Sequence, residues 1–170
     1  MREDDIDTFL EARWSSLFRL ACLLTGSPTE ADGLLQESLV KVYLRWGKVS
    51  RGQVPEAYFR RMMVNALVSR SRRPYKRREV LEGSPRAAAV GSPEDVVRDR
   101  AQVWPLVCAL PVRQRAVIVL RYYEDLSEQQ IADVLGCSTG SVKSQAHDAL
   151  ASLRRGVAAL ENEHGVIGES

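Results

Sequence analysis

Eight basic side chains and no acidic one stand between residues 60 and 78: Arg60, Arg61, Arg70, Arg72, Arg73, Lys76, Arg77 and Arg78. A local block of cations attracts phosphate, whatever the base sequence attached to it. A solvated charged face is the ordinary alternative, but the block holds no acidic partner to neutralise it. If the segment is helical, Arg61, Asn65, Ser69 and Arg72 share one face. That face is a polar row able to lie along a nucleic-acid strand. Asn65 is its single amide, able to donate and accept toward a base edge. Phe59, Met62, Met63, Ala66, Leu67 and the stem of Arg70 share the opposite face. That stripe reads as core, its two methionines as packing.

A second group lies in residues 131–150, IADVLGCSTGSVKSQAHDAL. Ala132, Gly136 and Val142 have the spacing of a helix-turn-helix. Two helices crossing at a wide angle need a small side chain where they approach, and Ala132 is small. The turn needs a residue tolerant of positive φ, which Gly136 is. Val142 anchors the second helix. Ser127 with Gln130 three residues on is a capping-box pattern, and Ser138 is placed to cap the second helix. An ordinary helical hairpin shares the apolar spacing but has no need of both caps. On the second helix Val142, Ala146, Leu150 and Leu153 face a core. Gly140, Ser144, His147 and Asp148 fall opposite, with Lys143 and Arg154 on one flank. Such a helix is built to enter the major groove of DNA.

Both groups need helices to position them, and the pattern is all-α throughout. A first helix is expected from about Asp7 to Leu24, with Leu10, Trp14, Leu17, Ala21 and Leu24 on one stripe and Gly26 ending it. Ser27-Pro28-Thr29-Glu30 starts a second helix, carrying Leu34, Leu35, Leu39, Val42 and Tyr43 to Trp46. Gly47–Val54 reads as a polar loop. Pro55 opens a third helix that ends before Pro74. Residues 80–100 hold two Ser-Pro steps and little periodicity, and read as a flexible linker. Helices resume near Pro93–Asp95, and another runs from Pro111 to about Tyr123. The expected organisation is a domain over 1–79, a linker over 80–100, a helix-turn-helix domain over 101–156, and a frayed tail over 157–170.

With 170 residues and 45% hydrophobic content, the chain is long enough for two small helical domains. Net charge is only +2, so the distribution of charge is the informative quantity. No apolar run reaches membrane-spanning length and no signal peptide opens the chain, so no membrane partner is expected. Three scattered cysteines, Cys22, Cys108 and Cys137, point to reduced thiols and a cytoplasmic location. With two histidines and no C-x-x-C, neither metal nor cofactor is expected. No Gly-rich phosphate loop or nucleophile constellation suggests an enzyme. The pairs Asp4/Asp5 and Glu124/Asp125 read as helix-end charges.

LPVRQRAVIVLRYYEDLSEQQIADVLGCSTGSVKSQAHDALASLR (110–154) resembles the promoter-binding domain of the extracytoplasmic-function (ECF) sigma factors, a group of the sigma-70 superfamily. EADGLLQESLVKVYLRW (30–46) followed by AYFRRMMVNALVSRSRR (57–73) resembles their N-terminal domain. The order and the linker length agree, and the wording is similar to actinobacterial SigE-like members. The resemblance implies a sigma factor without catalytic activity. It would bind bacterial core RNA polymerase through the β′ and β subunits, direct it to specific promoters and assist melting. Asp32, Gln36 and Glu37 match polymerase-contacting positions. Arg61, Asn65, Ser69, Arg72 and Arg73, with loop residues from Gly47 to Val54, match readers of the −10 element. Thr139, Ser141, Lys143, Ser144 and His147 match readers of the −35 element. An anti-sigma factor is a further partner the resemblance allows.

Three positions depart from the family pattern. Gly33 stands where an aspartate is common, and Gln145 and Asp148 stand where arginines are frequent. Residues 101–155 hold six basic and five acidic side chains, so this part should bind DNA poorly alone. Two other readings stay open on the sequence. One is a helix-turn-helix regulator dimerising through its N-terminal half. The other is a sigma-like interaction protein that lacks promoter activity.

Overall fold

The computed structural model describes residues 3–52, 54–71 and 94–167, and among these every regular element is helical. In chain order they are α1 (Glu3–Thr25), α2 (Pro28–Gly52), α3 (Pro55–Ser71), α4 (Glu94–Ala109), α5 (Val112–Ile118) with a π-helical turn (Val119–Tyr123), α6 (Glu128–Leu135) and α7 (Thr139–Ile167). The chain divides into two compact units. One is built on α1–α3, the other on α4, α5, α7 and the start of α6.

In the first unit each helix buries one stripe. Ile6, Leu17, Leu20, Ala21 and Leu24 come from α1, and Ala31, Leu34, Leu35, Val42, Trp46 and Val49 from α2. Phe59, Met63, Val64, Ala66 and Leu67 come from α3. The α1 stripe is rotated from the one expected: Trp14 is solvent-exposed and Leu10 half-buried, while Ile6 and Leu20 are covered. The loop expected over Gly47–Val54 is largely helix, since α2 continues to Gly52. Val49 supplies the reason: it extends the buried stripe from Trp46 by one turn, and that burial outweighs the low propensity of Gly47. Gly26, at φ 75°, ends α1 with its N–H on the Cys22 carbonyl at 2.8 Å.

In the second unit Val107, Leu110, Ile118 and Ala149 form a core cluster, with Val103, Trp104, Leu150 and Leu153 packed on it. A Cβ added at Gly156 would lie 2.7 Å from Leu106 Cδ2, so the missing side chain lets α7 pass close to α4. The buried Arg115 donates to the Cys108 carbonyl at 3.0 Å, tying α5 to the end of α4. The helix expected to run evenly to Tyr123 widens after Ile118, where Glu124 N–H reaches back to the Val119 carbonyl. The tail expected to fray after residue 156 is instead the last turns of α7, which run to Ile167. The linker expected over 80–100 lies outside the described residues up to Glu94, where α4 begins.

One stability prediction follows from α2. Gly33 lies inside this helix, and a Cβ placed there meets nothing within 4 Å. Gly33→Ala should therefore stabilise the protein by about 0.5–1 kcal/mol through reduced chain entropy and better helix propensity. Thermal and urea melts followed by circular dichroism check this. An unchanged or lower midpoint would mean that the site is less open than its surroundings indicate.

Candidate nucleic-acid interface

On α3 the core stripe faces inward, so the opposite row is presented to solvent. Arg61, Asn65 and Ser69 are all exposed on that row. Arg72 and Arg73, expected to extend it, lie outside the described residues. The basic block is less uniform than its composition suggests. Arg60 is mostly covered and pairs with Glu56 of its own helix at 3.9 Å. Arg70 donates through Nε to Glu37 Oε2 at 3.0 Å and through Nη2 to the same oxygen. The block contains no acid, but acids from outside it reach in. Two of its cations hold structure, and Arg61 stays outward.

The expected polymerase-contacting positions on α2 separate in the same way. Asp32 and Gln36 are exposed and joined to each other, Gln36 Nε2 donating to Asp32 Oδ2 at 3.1 Å. Glu37 is half-buried between α2 and α3 and also accepts from Lys41 at 3.3 Å. Burial pushes the Glu37 carboxyl up, but the hydrogen bonds from Arg70 and Lys41 outweigh it and hold the group below the ordinary glutamate range. Sequence reading missed this tie because the partners are 33 residues apart. Tyr43, which the second helix carries beside Val42, is 49% exposed. Val40 and Leu44 are more exposed still, at 60% and 78%. Their spacing of four, off the Leu35–Val42 stripe, was the available signal. Large apolar side chains left in water beside polar ones mark a surface that suits a partner.

The helix-turn-helix is built as its sequence suggests. Ser127 and Gln130 cap each other: Gln130 N–H donates to Ser127 Oγ at 3.2 Å, and Ser127 N–H to Gln130 Oε1 at 2.9 Å. Gly136 takes φ 65°, and Ser138 Oγ accepts from Ser141 N–H at 3.1 Å to start α7. Ile131, Ala132, Val142, Ala146 and Ala149 are buried. Lys143, Ser144, His147 and Asp148 are exposed, and Thr139 and Ser141 half-exposed. Glu128, at the start of α6, faces both Arg121 at 3.5 Å and Lys143 at 3.7 Å. That bridge was not foreseen, since its members sit on three different elements.

The two surfaces are thus an outward polar row on α3 and a capped helix-turn-helix whose second helix carries exposed polar side chains. The family model for Sigma-70 region 2 matches residues 11–78, and that for Sigma-70 region 4 matches residues 100–153. The chain is 35% identical to the RNA polymerase sigma-E factor of Streptomyces coelicolor, covering 92% of this chain and 88% of the relative. It is 35% identical to the sigma-E factor of Streptomyces avermitilis, over 88% and 83%. It is 28% identical to the ECF RNA polymerase sigma factor SigL of Mycobacterium tuberculosis, over 81% and 80%. A co-crystal structure of the sigma factor RpoE with the anti-sigma factor NepR from Bartonella quintana has a similar fold. Its TM-score is 0.69 at 22% identity, covering 91% of this chain and 97% of that one. The chain therefore belongs to the sigma-70 family of RNA polymerase sigma factors, in its extracytoplasmic-function group. Such a protein binds core RNA polymerase and directs it to promoter DNA.

The Glu37–Arg70 tie yields a prediction with a sign. The Glu37 side chain is 38% exposed, so solvent screens the pair and Glu37→Gln should cost about 0.5–1 kcal/mol near neutral pH. Its folded carboxyl is held below the unfolded value. The wild-type advantage is thus fully present above the ordinary glutamate range and lost as pH falls through the depressed folded value. Paired urea melts across the acid range test this. A deficit that stays constant with pH would show that the charge contributes nothing.

Proposed function

We propose that residues 1–79 bind core RNA polymerase and the −10 element, and that residues 101–156 read the −35 element, with 80–100 as the connecting linker. Asp32 and Gln36, with the exposed Val40 and Leu44 beside them, form the polymerase surface. Glu37 holds α2 to α3 and so supports that surface from within. Arg61, Asn65 and Ser69, continued by Arg72 and Arg73, take the −10 strands. Thr139, Ser141, Lys143, Ser144 and His147 take the −35 duplex. The protein acts without catalytic chemistry of its own and works in the cytoplasm, where core polymerase and promoters are. An anti-sigma factor is a natural regulator, since a structural neighbour is a sigma factor held by one. Past the readers, residues 157–167 continue α7.

The observation that carries this division is that α3 and α7 each turn a polar row outward from a well-buried stripe. Strand opening exposes bases that polar side chains can capture, while cations set affinity through phosphate. The two readers gain from each other once both are held on one polymerase, because the second contact becomes intramolecular.

Asn65 and Arg61 should accordingly behave differently. Asn65→Ala should change preference at the −10 element, costing roughly 1–3 kcal/mol against the best sequence. Arg61→Ala should weaken all promoters about equally and lower the salt slope by about one phosphate's worth. The measurement is open-complex formation and run-off transcription by holoenzyme on −10 and −35 variants at two salt concentrations. The same sequence-independent loss from both substitutions would leave α3 a phosphate clamp. No promoter-dependent transcript at all would leave an interaction protein without promoter activity.

A further inference from the structure

Asp148 is an exposed carboxylate on the outward face of α7, and it has no ion pair among the described residues. A carboxylate close to a duplex is repelled by every phosphate, so it sits there at a cost unless something donates to it. The layout of α7 says what that is. On a helical projection Lys143 and Arg154 lie on one flank of the exposed face, Ser144 lies near its middle, and Asp148 lies on the far flank, where Arg155 follows only two turns later. Lys143, still largely exposed beside Glu128, and Arg154 can follow a phosphate strand along their flank, with Asp148 on the other side of the exposed face. The row is also low at its start. Gly140 has no side chain, and a Cβ there would meet only Ser138 Oγ, at 3.8 Å. Ser144, one turn later, is small. The first turn of that face is low, with His147 its one bulky side chain further along, so the start of α7 can settle into a groove and bring its third turn within reach of the bases.

The major-groove edges leave few partners for a carboxylate. Guanine offers two acceptors, N7 and O6, and thymine an acceptor and a methyl group. Adenine offers an amino group, but beside the N7 acceptor. Cytosine offers an amino donor on N4 with no acceptor of its own alongside. We propose that Asp148 is a specificity-determining residue that reads a cytosine in the −35 element. This inference rests on the reading of α7 as the −35 reader and adds to it a base identity. It also makes the departure at Asp148 a gain of selectivity and not merely a loss of affinity.

The test uses holoenzyme assembled from core RNA polymerase and the full chain, with promoters randomised across the −35 element and bound templates sequenced. Wild type should enrich cytosine at one position. Asp148→Ala should lose that preference about tenfold, on the scale of one base contact, and keep the preferences elsewhere. Asp148→Asn, of nearly the same shape, should move the preference at that position toward adenine, whose N6 and N7 match an amide. Both changes are on the surface, and circular dichroism verifies that the helices are kept. If Asp148→Ala strengthened binding to every sequence alike, with the base profile unchanged, the carboxylate would merely repel phosphate and the proposal would be overturned. If wild type selected nothing anywhere in the −35 element while still selecting at −10, the assignment of α7 as the −35 reader would fall first, and this inference with it.

Discussion

The outward face of α7 depends on a turn of three residues. Gly136 reverses the chain at a positive φ that a side chain would resist, and Ser138 Oγ then accepts the Ser141 N–H in the first turn of the next helix. Because the start of α7 is set there, the burial of Val142, Ala146 and Ala149 decides its rotation. Rotation in turn decides that Ser144, His147 and Asp148 are in solvent. On the other side of the turn the Ser127–Gln130 box sets the start of α6 by the same means. Side-chain caps at both helix starts leave little freedom in the one angle that matters for entering a groove.

In the first unit the comparable device is the charged contact between α2 and α3. Glu37 and Arg70 would each be plausible on an external surface, one toward polymerase and one toward DNA. Joined to each other, they hold α2 and α3 in fixed relation. Of the described cations of the basic block, Arg61 is the one left outward. On α2, Gln36 and the apolar side chains of Val40 and Leu44 stay exposed. A net charge of +2 thus conceals a sorting of cations into structural and outward sets.

Much of this was legible in the sequence because the decisive features are local. Caps, a glycine turn and helical periodicity act within a few residues, and the helix-turn-helix and the α3 row follow from them. What was not legible depends on distant or aggregate effects. The Glu37–Arg70 tie joins residues far apart in the chain. The continuation of α2 through Gly47 depends on the burial of Val49, which local propensity does not reveal. Trp14 had the right spacing for the core, but the stripe through Ile6 and Leu20 won. The Glu128 bridge needs the π-helical turn, α6 and α7 all in place before its partners meet.

The central claim is that one polymerase-bound chain touches two promoter elements with two different helices. Photo-crosslinking from single unnatural residues tests this most directly. A probe at position 65 and another at position 144 would each be placed in otherwise wild-type protein, assembled with core polymerase on one promoter. The account predicts that position 65 crosslinks to bases of the −10 element and position 144 to the −35 duplex, both only when polymerase is present. Crosslinks from both positions to the same element, or strong crosslinks to DNA without polymerase, would contradict it.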